Sequence, residues 1–253
     1  MTSSALTRWL RQGLMYGICP LCRAHHKLDR EYIWGFFDQW SMRDDVVEQF
    51  ARARGFCADH ARQLCRIEVD AMRTTIGVTD VYLATVERLL ADLASLLPAA
   101  GALSEERCPA CAYREQGIAD NVRYLLDELV GDGEFRERLA AGSGLCVPHF
   151  RIAWQASQTS EQRQHLAVVE HTAALRLAGE LREHARKQRA EAAGEPAGPE
   201  ADSWQRAIWM SSGWPAPARA ASAPEGENPY APTLAPNTAP RVAAGKAAPA
   251  RRA

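Results

Sequence analysis

Cys19-Pro20-Leu21-Cys22, followed by Gly55-Phe56-Cys57-Ala58-Asp59-His60, recurs further along the chain as Cys108-Pro109-Ala110-Cys111 and Gly144-Leu145-Cys146-Val147-Pro148-His149. One offset relates the copies: 108 − 19, 111 − 22, 146 − 57 and 149 − 60 all equal 89. Each copy holds three thiols and one imidazole as C-x2-C and C-x2-H, a complete four-coordinate set for a soft divalent metal. Six of the 7 cysteines fall in these motifs, and Cys65 is left over. An odd count placed this regularly argues for metal ligands over a disulfide framework.

The repeat extends beyond the ligands. Ile33, Phe36, Phe37 and Trp40 form an apolar stripe at helical spacing, and it returns as Val122, Leu125, Leu126 and Leu129. Val46 and Phe50 are matched by Phe135 and Leu139. Core positions that repeat together with ligands mark a duplicated structural unit. Pro20 suits a tight knuckle between its cysteines, and Asp29 is a candidate N-cap for the helix that follows. Gly55 and Gly144 stand where a helix end needs a positive φ. Cys57 and His60, three apart on a first helical turn, share a face, as do Cys146 and His149. Trp9, Leu10, Leu14 and Met15 predict a short leading helix. Residues 82–97 predict a long helix, and Thr159 with Gln162 forms a capping box opening another to about Arg186.

The expected fold is all-α. Two pseudo-duplicated helical lobes, residues 1–98 and 99–187, each carry a Cys3His metal knuckle and share a core through residues 80–97 and 161–186. Residues 188–253 turn to Ala, Pro, Gly and Glu and read as a tail without fixed structure. Within it, residues 202–213 form an island suited to docking, with Trp204 and Ile208 at i, i+4. His25 and His26, just after Cys22, read as solvated, and Cys65 reads as a small buried apolar residue.

The chain has 253 residues, 47% hydrophobic and 24% charged, with a formal net charge of −1. That balance gives no field to recruit nucleic acid. No apolar run reaches a membrane span, and no secretion signal is visible, so a cytoplasmic location is expected. Both ligand sets, Cys19, Cys22, Cys57 and His60, and Cys108, Cys111, Cys146 and His149, suit two zinc ions, with an iron–sulfur cluster as the alternative. A closed four-ligand site is structural by default, so the chain reads as an adaptor or regulatory protein acting through a protein partner rather than an enzyme. An iron–sulfur or dithiol redox protein is the alternative, and a nucleic-acid module the third. A catalytic groove between the lobes also stays open.

The duplicated C-P-x-C and G-[FL]-C-x2-H motifs, with the Asp202-Ser203-Trp204-Gln205-Arg206-Ala207 segment, resemble an uncharacterised bacterial family over roughly residues 14–213. That resemblance implies the eight ligand positions and a docked tail segment, and it carries no activity. More loosely, the ligand spacing resembles zinc ribbons and treble clefs, which are built on hairpins that this helix-patterned sequence does not offer.

Overall fold

Two long helices, one in each copy of the repeat, open on proline. The computed structural model describes residues 3–36, 43–65, 76–96, 106–189 and 195–215. The first long helix, α2, runs Pro20–Gly35 after α1, Ser3–Met15. Its counterpart, α6, runs Pro109–Gly131. Cys19 and Cys108 are their N-cap residues, and each proline sits at the first helical position, where its missing N–H costs nothing. The C-P-x-C sequence is therefore a helix start rather than a separate knuckle. Asp29, expected as an N-cap, lies inside α2 and is buried.

Three helices follow each long one. After α2 come α3 (Asp44–Arg52), α4 (Ala58–Cys65) and α5 (Ile76–Leu96). After α6 come α7 (Gly133–Ala141), α8 (Val147–Ala156) and α9 (Ser160–Lys187). A 3₁₀ turn, Pro199–Asp202, leads into α10, Ser203–Ser212. The starts of α2 and α6, of α3 and α7, and of α4 and α8 all keep the 89-residue offset (109 − 20, 133 − 44, 147 − 58). The described residues contain no strand. No helix among them is long and apolar enough to cross a membrane. Gly55 and Gly144 take φ of +85° and +63°, values costly for residues with a Cβ. Thr159 and Gln162 make both bonds of the capping box.

α2 and α6 pack antiparallel. Tyr32 meets Tyr113, with ring centroids 5.2 Å apart, and Leu28 meets Gly117 four residues along in the opposite sense. Leu28 and Gly117 are themselves 89 apart, so the repeat's own axis passes through this contact. A Cβ on Gly117 would lie 2.7 Å from both δ-carbons of Leu28, so glycine is what lets the helices approach there.

Packing then divides into two cores. One gathers Leu21 and Leu28 from α2, Leu125 and Leu129 from α6, Phe135, Leu139, Leu145, Leu166 and Val169, with Trp9 and Leu10 of α1. The other gathers Ile33 and Phe36 from the end of α2, Phe50, Phe56, Leu64 and Val81, with Ala110 from the first turn of α6. Each long helix thus places its start in one core and its end in the other. The single shared core expected from residues 80–97 and 161–186 does not form among the described residues. Residues of α5 enter the second cluster and residues of α9 the first. On α5, Val81, Tyr82 and Thr85 face inward, while Val86 and Leu93 are exposed. Phe37 and Trp40 lie outside the described residues, as does the sequence after residue 215.

Candidate metal centres

The antiparallel pairing decides which ligands meet. α2 has 16 residues and so spans about 24 Å. Phe36, Phe50 and Phe56 meet edge to face or tilted at its far end, with centroids 4.8–5.5 Å apart, and α4 therefore begins far from Cys19. The neighbouring antiparallel helix brings its own start to that place. Cys57 and His60 accordingly meet Cys108 and Cys111, while Cys19 and Cys22 meet Cys146 and His149. This corrects the expectation that each copy closes its own site. All eight residues cluster as ligand sets, but every set takes its C-x2-C from one half and its C-x2-H from the other.

In each cluster the four candidate ligand atoms lie within 4.8 Å of one another. In the first, His149 Nδ1 is 3.6, 3.3 and 3.1 Å from the sulfurs of Cys19, Cys22 and Cys146, and Cys22 and Cys146 are 3.5 Å apart. In the second, His60 Nδ1 is 3.2, 3.5 and 3.4 Å from Cys57, Cys108 and Cys111, and Cys57 and Cys111 are 3.7 Å apart. A tetrahedron with metal–sulfur bonds of ~2.3 Å and a metal–nitrogen bond of ~2.0 Å has edges of about 3.5–3.8 Å. The separations just given are within a few tenths of an ångström of those edges.

Each imidazole is aimed by its other nitrogen, and the two clusters differ here. His60 Nε2 is 2.9 Å from the buried Asp29 carboxylate, so it donates there and leaves Nδ1 facing the thiols. Arg114 joins the same group, 3.4 Å from Asp29 and 3.9 Å from the Cys111 sulfur. His149 Nε2 instead lies 3.4 Å from His25 Nδ1. Burial first, then the nearby Arg114 charge, lowers His25 to about 3, so it stays neutral. His25 and Arg114 are repeat equivalents, 89 apart, and each touches the imidazole of one cluster. His26, expected in solvent, bonds the Trp214 carbonyl at 2.8 Å. Cys65, expected buried, is exposed and belongs to neither cluster.

Electrostatics favour a cation in both places. Burial opposes charge on His60, but its bonds to Asp29 and Cys108 outweigh burial and lift it to about 10. Burial likewise opposes the Cys108 thiolate, yet His60 brings it down to about 6, while burial and the Cys108 charge push Cys111 up to about 12. In the first cluster the thiols of Cys19 and Cys22 hold Cys146 far below the ordinary thiol range. Burial raises Cys19, and the bond to Cys146 raises Cys22. Three sulfurs this close resist ionising together unless a cation is shared among them, which is what a divalent metal supplies.

The tail island lies beside the first cluster. α10 packs on α9 and α8, held by Arg206, which pairs with Glu180 and with Asp202 at 2.7 Å. Trp209 and Trp214 turn inward with centroids 4.7 Å apart, while Trp204 and Ile208 are 46% and 55% exposed. The Trp214 N–H donates to the Cys22 sulfur at 3.3 Å. Gly213, at φ +99°, lets the chain pass so close that a Cβ there would sit 3.9 Å from Cys22 Sγ and 4.0 Å from Cys146 Sγ.

Fold and site together define an all-helical, internally duplicated protein with two crossed Cys3His clusters able to hold metal. The chain belongs to a family of unknown function (DUF6062), whose model matches residues 16–216 and so spans all eight ligands and the tail segment through Trp214. Neither the curated proteins nor the solved structures give a match to this chain.

Proposed function

We propose that the protein is a zinc-stabilised, non-enzymatic adaptor of the cytoplasm in which two zinc ions fasten the repeat halves together. The observation that carries this is the closure of both clusters: four side-chain ligands fill each tetrahedron and leave no position for water or substrate. The chemistry of three thiolates and one imidazole favours zinc, and the tight ligand spacing favours a single ion. A multi-iron cluster spreads its ligands over two or more irons and so needs some of them further apart than one ion does. The adaptor role is supported by apolar side chains turned outward on otherwise anchored helices, Trp204 and Ile208 of α10 among them. The net charge of −1 favours a protein partner over nucleic acid. Elemental analysis and a visible spectrum of anaerobically purified protein test the metal. About two zinc per chain without a visible band supports this function, whereas iron with acid-labile sulfide replaces it with electron transfer or redox sensing.

A further inference from the structure

The two clusters share ligands and spacing but not cover. Cys19, Cys22, Cys146 and His149 are all buried. In the other cluster His60 is buried, whereas Cys57, Cys108 and Cys111 are each only partly covered. The cause is visible in the chain. Gly213 and Trp214 cross the first cluster, with the Trp214 amide on Cys22 and the indole in the core beneath Trp209. Arg206 anchors that crossing to α9 through Glu180.

What each cluster fastens also differs. The first ties the start of α2 into a core already filled by α1, α6, α7, α8 and α9. The second ties α4 to the first turn of α6, where the adjoining core includes only Ala110, with Cys108 and Tyr113 partly buried against it. Metal therefore contributes a larger share of the attachment at the second cluster than at the first.

We propose that the Cys57–His60–Cys108–Cys111 cluster is an exchangeable site for a soft divalent cation whose occupancy controls docking of α3–α5 onto α6, and that the Cys19–Cys22–Cys146–His149 cluster is a permanent clamp sealed by residues 203–214. This rests on the metal binding proposed above. An incoming ligand reaches the partly exposed sulfurs without prior unfolding. At the sealed cluster the tail segment must first lift away. Departure of the exchangeable ion leaves α2, α6 and the larger core in place and frees the start of α4, converting cation availability into a change in the surface that α3–α5 presents.

The test follows release of zinc from the intact, fully loaded chain into a chromogenic chelator, with thiol alkylation and hydrogen exchange measured on the same samples. One equivalent is expected to leave about tenfold faster or more, because a water-excluding shell controls access to a metal. Alkylation of Cys57, Cys108 and Cys111 and loss of amide protection in residues 44–65 accompany that equivalent, while Cys19, Cys22 and Cys146 and residues 147–156 stay protected. The exposed Cys65 alkylates at once and calibrates the reagent. Trp214→Ala is expected to accelerate the slow equivalent and leave the fast one unchanged; should that variant not fold, the alkylation order in the unaltered chain decides. Two equivalents leaving at one rate, or Cys19 and Cys22 reacting before Cys57 and Cys111, overturns the proposal while metal binding stands. A chain that takes up no zinc overturns the metal reading itself.

Discussion

His60 leans on a carboxylate and His149 on a second imidazole, although the two belong to clusters built from identical ligands at identical spacing. Asp29, which aims His60, has Ile118 as its repeat equivalent, so the acid exists in one half only. Around His149 the same task falls to His25. The two halves share the candidate ligand atoms and differ in what surrounds them. One cluster is buried and crossed by the tail, and the other has a charged, partly exposed setting with Asp29 and Arg114.

Removing ligands tests that divergence with the largest effect. Structural zinc contributes on the order of 10 kcal/mol, comparable to the roughly 5–15 kcal/mol that holds a domain folded. Cys22→Ser is expected to abolish the cooperative thermal transition, because it opens the clamp inside the larger core. Cys57→Ser is expected to lose one metal and the protection of α3 and α4 while the larger core still melts cooperatively. Calorimetry with amide exchange distinguishes them, and equal damage from both substitutions would remove the distinction between the clusters.

The next effect is at the residues behind the ligands. Asp29→Ala should weaken zinc at the second cluster by about 10- to 100-fold, the usual cost of losing a carboxylate behind a ligating histidine, without altering the first. Chelator competition measures it. Smaller again is Gly117→Ala, which presses a methyl group against the fully buried Leu28 and should cost about 1–3 kcal/mol with metal stoichiometry unchanged. Thermal melts of that variant and of a Leu28→Ala, Gly117→Ala pair show whether the loss is overpacking, since shortening Leu28 relieves it.

The smallest effect concerns Glu170, which accepts the Leu145 amide beside Cys146. Burial lifts its carboxyl to about 7, above the ordinary 4.5. A raised acid favours folding while protonated, and that contribution is lost as pH rises from about 4.5 through 7. Glu170→Gln is therefore expected to be more stable than the unaltered chain at pH 8 and indistinguishable from it near pH 4.5. Melting temperatures of both at the two pH values check the sign.

Much of this was legible in the residues. Helical stripes such as Val122, Leu125, Leu126 and Leu129, the glycines needing positive φ and the Thr159 capping box all follow from local rules that the fold obeys. The eight candidate ligands, which the fold gathers into two clusters, stand out in the sequence because chemistry and spacing coincide twice. Their partnership does not, because an offset of 89 is satisfied equally by closure within a copy and by exchange between copies. Only the length of α2 and its antiparallel packing on α6 choose between them. Asp29 was misjudged because an acid near a helix start resembles a cap. Its mismatch with Ile118, a charge against an apolar residue inside a repeat, was the available signal. The inward turn of Trp214 and the outward turn of Trp204 depend on where α10 lands, which no local pattern encodes.

Crossed pairing of the halves is the central claim, and zinc content of two double variants tests it most directly. Cys57→Ser with Cys108→Ser removes two ligands from one crossed cluster and leaves the clamp in the larger core intact, so one zinc per chain should remain. Cys19→Ser with Cys57→Ser removes one ligand from each cluster, so both ions should be weakened and fewer than one retained after dialysis against chelator. The opposite result, in which the first variant loses both ions and the second keeps a full equivalent, would mean that each copy closes its own site and would contradict the account.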